Sequence, residues 1–295
     1  MKNILFIIIF FFLPLKAKAK PLQVFACEPE WAALVAELGG KHVEIFSATT
    51  PMQDPHHIEA RPSLIAKARQ ADLLVCSGAD LEIGWLPLLL RQAANPAILE
   101  GKKGHFLAAD YVLLKEVPAI VDRSRGDIHP QGNPHFQVDP RNILAIAQPL
   151  AQRLAEIDIP HGSAYETHYR DFSHRWQKAM RDWEKKIAPL AGTKVVMQHN
   201  AWVYLLDWAK LQNVATLEPM PGIAPSASHL QQVLELLQKN PARFIIRAVY
   251  ENPKPSVWLG EHAKIPVVTL AASPNWQEGE SLFDWFTKIV QALPQ

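Results

Sequence analysis

Three histidines stand where their imidazoles could reach a shared ligand: His56, His135 and His199. His56 closes the polar loop TPMQDPHH behind the strand-like run HVEIFSAT and shortly precedes a helix. His135 directly precedes a helix that starts at Asp139, and His199 follows the strand-like KVVMQ and precedes AWVYLLDW. In a parallel sheet such junctions face one edge, where open α/β sheets bind their ligands, so distance along the chain is no obstacle to their meeting. Two of the three also sit in Pro-His pairs, Asp54-Pro55-His56 and Asn133-Pro134-His135. Proline fixes its own backbone angle and restricts the residue before it, which holds a ligand-bearing loop at low entropic cost. Singly, each histidine reads as a surface or capping residue. Jointly, three imidazoles on one sheet edge read as a transition-metal site.

The elements that must position them are legible as periodicity. From Leu22 to about Leu114 strand-like and helix-like segments alternate. VFAC is followed by EPEWAALVAELGG, where Trp31, Leu34, Val35 and Leu38 keep helical spacing and Gly39 and Gly40 stop it. HVEIFSAT, a helix with Pro62 in its first turn, ADLLVCSG and a helix around LEIGWLPLLLRQAA continue the rhythm of parallel βαβ units. The polar stretch between Pro118 and Pro134 reads as a surface loop, and Asp139-Pro140 as a cap with a first-turn proline. Tyr165, Tyr169, Phe172, Trp176, Ala179, Trp183 and Ile187 then form one apolar stripe on a single helix of at least 23 residues, ~34 Å long. It is expected to act as a strut between two lobes, because after Pro189 the α/β alternation restarts. The tryptophans lie mostly at helical spacing and read as core.

The first residues carry Lys2, an apolar run from Ile4 to Leu13 and the small-residue pattern Ala17-Lys18-Ala19. This is the layout of a cleavable secretory signal peptide over 1–19, and the run is shorter than the ~20 residues needed to cross a bilayer. Cys27 lies too far beyond the run to be an acylated lipoprotein cysteine, so a soluble periplasmic protein is expected. Removing 1–19 changes 30 basic and 29 acidic residues to 27 and 29, a near-neutral chain with no basic run. Nucleic acid and anionic membrane are thereby excluded as partners. The expected division is an N-terminal α/β lobe at 20–140, helices including the linker at 141–190, and a C-terminal α/β lobe at 191–295. Cys27 and Cys76 are the two cysteines. Both follow strand-like runs, and if these are the first and third strands of a parallel sheet the sulfurs could meet as a disulfide. Two buried free thiols are the alternative.

DPHHIEARPS, NPHFQVDPRNI and VVMQHNAWVYL resemble the three ligand segments of the zinc and manganese substrate-binding proteins of bacterial ABC importers. The resemblance runs from about Leu22 to the C-terminus. It implies two Rossmann-like lobes with parallel sheets, joined by a long rigid helix, with a metal site in the cleft. It also implies His56, His135 and His199 as ligands, a membrane permease as partner and no enzymatic activity. Manganese-type relatives tend to place a carboxylate at the third position, whereas this chain has His199. Three imidazoles suit Zn2+, and Mn2+, which favours oxygen, is the second choice. Zinc affinity is expected to fall as pH drops below about 6.5, where imidazoles protonate.

One departure concerns the fourth ligand. Many relatives supply Asp or Glu from the loop after the last strand, but PVVTL runs here into Ala271, Ala272, Ser273 and Pro274. The candidates are a water or Glu59, ranked first, then His57, His129 and Glu251. His105, His161, His168, His174, His229 and His262 are taken as surface or helix residues. The expected protein is a monomeric solute-binding protein that captures Zn2+ and delivers it to an ABC importer. The rival class is a zinc hydrolase with Glu59 or Asp54 as general base, disfavoured by the absence of a helical HExxH arrangement. A haem or siderophore binder on the same architecture is disfavoured because a histidine triad suits a bare ion.

Overall fold

The computed structural model describes residues 20–119 and 126–294. The expected signal peptide lies outside the described residues. The N-terminal lobe runs β1 (Leu22–Ala26), α1 (Pro29–Gly39), β2 (Val43–Ser47), α2 (Pro62–Gln70), β3 (Leu73–Cys76), α3 (Leu86–Ala93) and β4 (His105–Leu107). Its strands are all parallel, in the order β2-β1-β3-β4. Two helices follow, α4 (Pro140–Ile157) and α5 (Gly162–Ile187). The C-terminal lobe repeats the plan with β5 (Lys194–Met197), α6 (Val203–Ala209), β6 (Gln212–Thr216), α7 (Ala227–Lys239), β7 (Phe244–Ala248), α8 (Lys254–Ala263), β8 (Val267–Leu270) and α9 (Leu282–Ala292). Its parallel order, β6-β5-β7-β8, matches that of the first sheet strand for strand.

Local signals explain most boundaries. Pro62 opens α2, and α4 begins at Pro140 with the Asp139 side chain accepting from the backbone N–H of Arg141. β4 carries no comparable signal: three residues, HFL, are too few to show a period of two. His105, read as a surface or helix residue, lies in this strand, with its Nδ1 2.9 Å from the Ile98 carbonyl. The adjacency of β1 and β3 pairs Ala26 with Val75 in register. The next residues are Cys27 and Cys76, whose Cα atoms stand 4.8 Å apart with the sulfurs joined.

α5 has 26 residues, ~39 Å of helix. Its stripe buries Tyr165, Phe172, Trp176, Trp183 and Ile187, with Tyr169 and Ala179 partly covered. The stripe packs on α4 and α1 from the first lobe side and on α9 from the second. Trp176 and Trp183 both meet Phe286 of α9, at ring-centroid distances of 5.3 and 5.4 Å. The Trp176 indole donates to the Pro140 carbonyl at 2.8 Å, and that of Trp183 donates to Thr287 Oγ1 at 3.1 Å. One continuous core therefore takes in the inner faces of both sheets together with α1, α4, α5 and α9. Smaller cores seal the outer face of each sheet. Lobes that share a core cannot separate without exposing it, in contrast to lobes joined by a bare linker. Among the described residues no helix is long and apolar enough to cross a membrane.

Candidate metal centre

The two Pro-His loops use the same local device. Asp54 Oδ1 accepts from the backbone N–H of His56 at 3.0 Å and holds its Nδ1 at 2.7 Å. Asn133 Oδ1 does the same for His135, at 3.0 Å to the backbone nitrogen and 3.0 Å to Nδ1. An Asp or Asn two residues ahead of a histidine, with proline between, thus folds back on both polar groups of that histidine. The third histidine reaches the same state by another route: His199 Nδ1 lies 2.7 Å from Glu218 Oε2, which also accepts from the Gly222 backbone at 2.8 Å. In all three rings Nδ1 is engaged by an oxygen, which fixes the Nδ1–H tautomer and leaves the Nε2 lone pair free.

Those rings converge. Each of the three offers a nitrogen within 4.8 Å of those of the other two. Ring centroids lie 5.2 Å apart for His56 and His135, 5.2 Å for His135 and His199, and 5.8 Å for His56 and His199. All three residues are buried, and His135 Nε2 has no hydrogen-bond partner among the described residues. A buried imidazole nitrogen with a free lone pair costs stability unless something binds it. The loops are braced from both lobes. Trp85 Nε1 donates to the Pro55 carbonyl at 2.9 Å, while Tyr204 Oη donates to the Asn133 carbonyl at 2.7 Å.

The electrostatics separate the rings. Burial, reinforced by the neighbouring imidazoles of His56 and His199, pushes His135 well below the usual histidine range. The same causes bring His129 down to about 4. Burial also works to lower His199, but Glu218 outweighs it and the net direction is upward. Asp54 falls to about 2: burial opposes ionisation, and the hydrogen bond with His56 overcomes it. Of the three converging rings, His56 and His199 are held by carboxylates and His135 by an amide oxygen.

The remaining candidates for a fourth ligand are sorted by position. Glu59 is exposed and contributes no atom to the cluster. His57 is exposed too, with its Nε2 3.8 Å from Asp127. Glu251 is held at the end of β7, where Oε2 accepts from the Ala248 backbone at 2.9 Å; burial lifts it to about 7 against the pull of His199. His129 comes closest, with its Nε2 3.3 Å from Nε2 of His56. The only sequence signal for it was that it is the single histidine between Pro118 and Pro134. Glu218, which no local pattern marks, was missed; it follows β6, the strand beside β5.

A family described as zinc-uptake complex component A, periplasmic (ZnuA), matches residues 24–295. A manganese ABC transporter substrate-binding lipoprotein, PsaA of Streptococcus pneumoniae, is 24% identical over 295 residues, covering 94% of this chain and 91% of its own. The metal ABC transporter substrate-binding lipoprotein ScbA of Streptococcus cristatus is 22% identical over 270 residues, 89% of this chain and 84% of its own. Among solved structures, a crystal structure of ZnuA superposes with a TM-score of 0.76 at 19% identity, covering 92% of this chain and 97% of that one. The binding protein FpvC of P. aeruginosa, in complex with Ni2+, gives 0.71 at 19% identity, covering 93% and 97%. The likeness to these structures is one of fold, two parallel α/β lobes with a long helix, and with the match over 24–295 it shows that the chain belongs to the ZnuA family, whose members are substrate-binding proteins of ABC transporters and not enzymes.

Proposed function

We propose that this protein captures Zn2+ in the periplasm and passes it to the permease of an ABC importer. The observation that carries the reading is the set of three buried imidazoles with each Nδ1 engaged by Asp54, Asn133 or Glu218 and each Nε2 left to a common point. His56, His135 and His199 are the ligands, and Zn2+ is the cargo. His129 is the fourth. Two nitrogens bound to one tetrahedral zinc at 2.0–2.1 Å stand about 3.3–3.4 Å apart, and the separation of His56 and His129 Nε2 is 3.3 Å. Closing the trio from its present spread to such an edge needs ring rotation and a small loop shift.

Four imidazoles favour zinc over manganese, since Mn2+ is better served by carboxylates and carbonyls. The relatives named for manganese keep Mn2+ as the competing reading. Residues 1–19 direct export, and the oxidising compartment supports a disulfide between Cys27 and Cys76. Cys27 is fully buried against Cys76, which argues against Cys27 as an acylated lipid anchor. Metal analysis of protein purified from the periplasm tests the assignment, followed by the same analysis of His56→Ala, His135→Ala and His199→Ala. One zinc per chain, lost in all three variants, is expected. A clear preference for Mn2+ in paired equilibrium titrations overturns the choice of metal.

A further inference from the structure

Adjoining the histidine cluster at His135, on the side of the β1–α1 turn, lies a small cavity of about 20 Å3. That is room for about one water-sized species. Its walls include Glu28, Glu30, Gln137 and Tyr250, and His135 is shared with the histidine cluster. Glu28 and Glu30 are 3% and 1% exposed, and Gln137 is 4% exposed. Glu28 Oε1, Glu30 Oε2, Gln137 Oε1 and Tyr250 Oη are all buried with no hydrogen-bond partner among the described residues.

Four unmatched oxygens around one small void point to an occupant, because a buried polar atom without a partner is costly and rare. The other polar atoms of Glu28 and Gln137 are already spoken for. Glu28 Oε2 accepts from Ser77, Gln137 Nε2 donates to the Ala272 carbonyl at 3.3 Å, and Glu82 behind them takes the Ser77 and Gly78 backbone N–H groups. Burial, Glu82 and Glu30 all resist the ionisation of Glu28, and only the hydrogen bond from Ser77 favours it. A cluster of this kind gains from a cation more than from a neutral guest. With His135 Nε2 assigned to the histidine cluster, the remaining unmatched atoms of the lining are all oxygens, two of them carboxylate, which selects a hard divalent ion rather than one that prefers imidazole or thiolate.

We propose that this cavity is a second cation site, separate from the histidine cluster, that takes one small oxygen-preferring divalent ion with Glu28 and Glu30 as anionic ligands and Gln137 and Tyr250 as neutral ones. The two sites then sort ions by donor chemistry: nitrogen in one, oxygen in the other. Zinc-saturated protein is titrated with Mn2+, and the free ion is counted by electron paramagnetic resonance. One further equivalent of Mn2+ is expected to bind per chain. Glu30→Gln and Glu28→Gln should each lose that equivalent while keeping one zinc, which also serves as the control for folding. The inference is overturned by zinc-loaded wild type that takes up no Mn2+, or by uptake undiminished in both variants. Loss of the zinc itself from a folded Glu30→Gln or Glu28→Gln protein overturns it as well, because the carboxylate would then belong to the histidine site.

Discussion

His129 places its Nε2 3.3 Å from Nε2 of His56 across 73 residues of chain. One ring nitrogen so close can donate to the other, and a metal ion between them replaces that contact with two bonds. His129→Ala is therefore expected to weaken zinc binding by about 10-fold, roughly 1.4 kcal/mol, without abolishing it. In the cobalt-substituted protein the visible bands should change as water takes the vacated position. Unchanged affinity and an unchanged spectrum would remove His129 from the coordination sphere.

Glu218 is expected to matter through His199 alone. Replacing it by glutamine keeps the shape but weakens the 2.7 Å contact to Nδ1 and its hold on the ring's tautomer. Loss of such outer partners typically costs about 10–100-fold in metal affinity. Glu218→Gln should fall in that range by competition with a zinc chelator, while Glu59→Gln, at an exposed position, should leave affinity unaltered.

The pH dependence of stability follows from the buried carboxyls of the first lobe. Burial raises Glu30 to about 8 and Glu82 to about 7, against an ordinary value of 4.5. Between pH 4.5 and 8 the folded, metal-free protein thus holds protons that the unfolded chain has released. Below about pH 6.5 the lowered values of His129 and His135 act in the opposite sense, so stability must decline as pH rises from about 6.5 to 8. Urea denaturation of the metal-free protein at pH 6.5, 7, 7.5 and 8 should show the decline, and Glu30→Gln should flatten it. A stability that climbs steadily with pH would contradict these assignments.

Trp176 is the residue through which the strut is locked. It is fully buried, packs on Phe172, Trp183, Phe283 and Phe286, and donates to Pro140. Trp176→Ala is expected to cost about 3–5 kcal/mol in urea denaturation. Because one core serves both lobes, scattering curves with and without zinc should give the same radius of gyration within error. A large compaction on loading would mean that the shared core opens.

The Cys27–Cys76 pair closes a loop with a sequence separation of 49. A disulfide there should contribute about 2–4 kcal/mol. Mass spectrometry under denaturing, non-reducing conditions should find no free thiol, and Cys27→Ala/Cys76→Ala should melt earlier yet still bind zinc.

The sequence alone determined the elements and the hinge points of the site. Proline at the first turns of α2 and α4, glycines ending α1 and the seven-residue apolar stripe of α5 act within a turn or two of chain, so they are written locally. The Pro-His pairs are legible for the same reason: Asp54 and Asn133 fold back on a histidine only two residues away. Where the strands are too short to show a period, as in β4, the pattern is silent. Only the tertiary structure decided which distant groups meet. Glu59, favoured by its nearness in sequence to His56, faces solvent, whereas His129 arrives from a loop 73 residues away. Glu218 reaches His199 because β6 lies beside β5, and Glu28 and Glu30, at the β1–α1 turn, share a cavity with Gln137, from the short turn just before α4. Such encounters are set by strand order and by the packing of whole elements, and neither is encoded in the spacing of neighbouring residues.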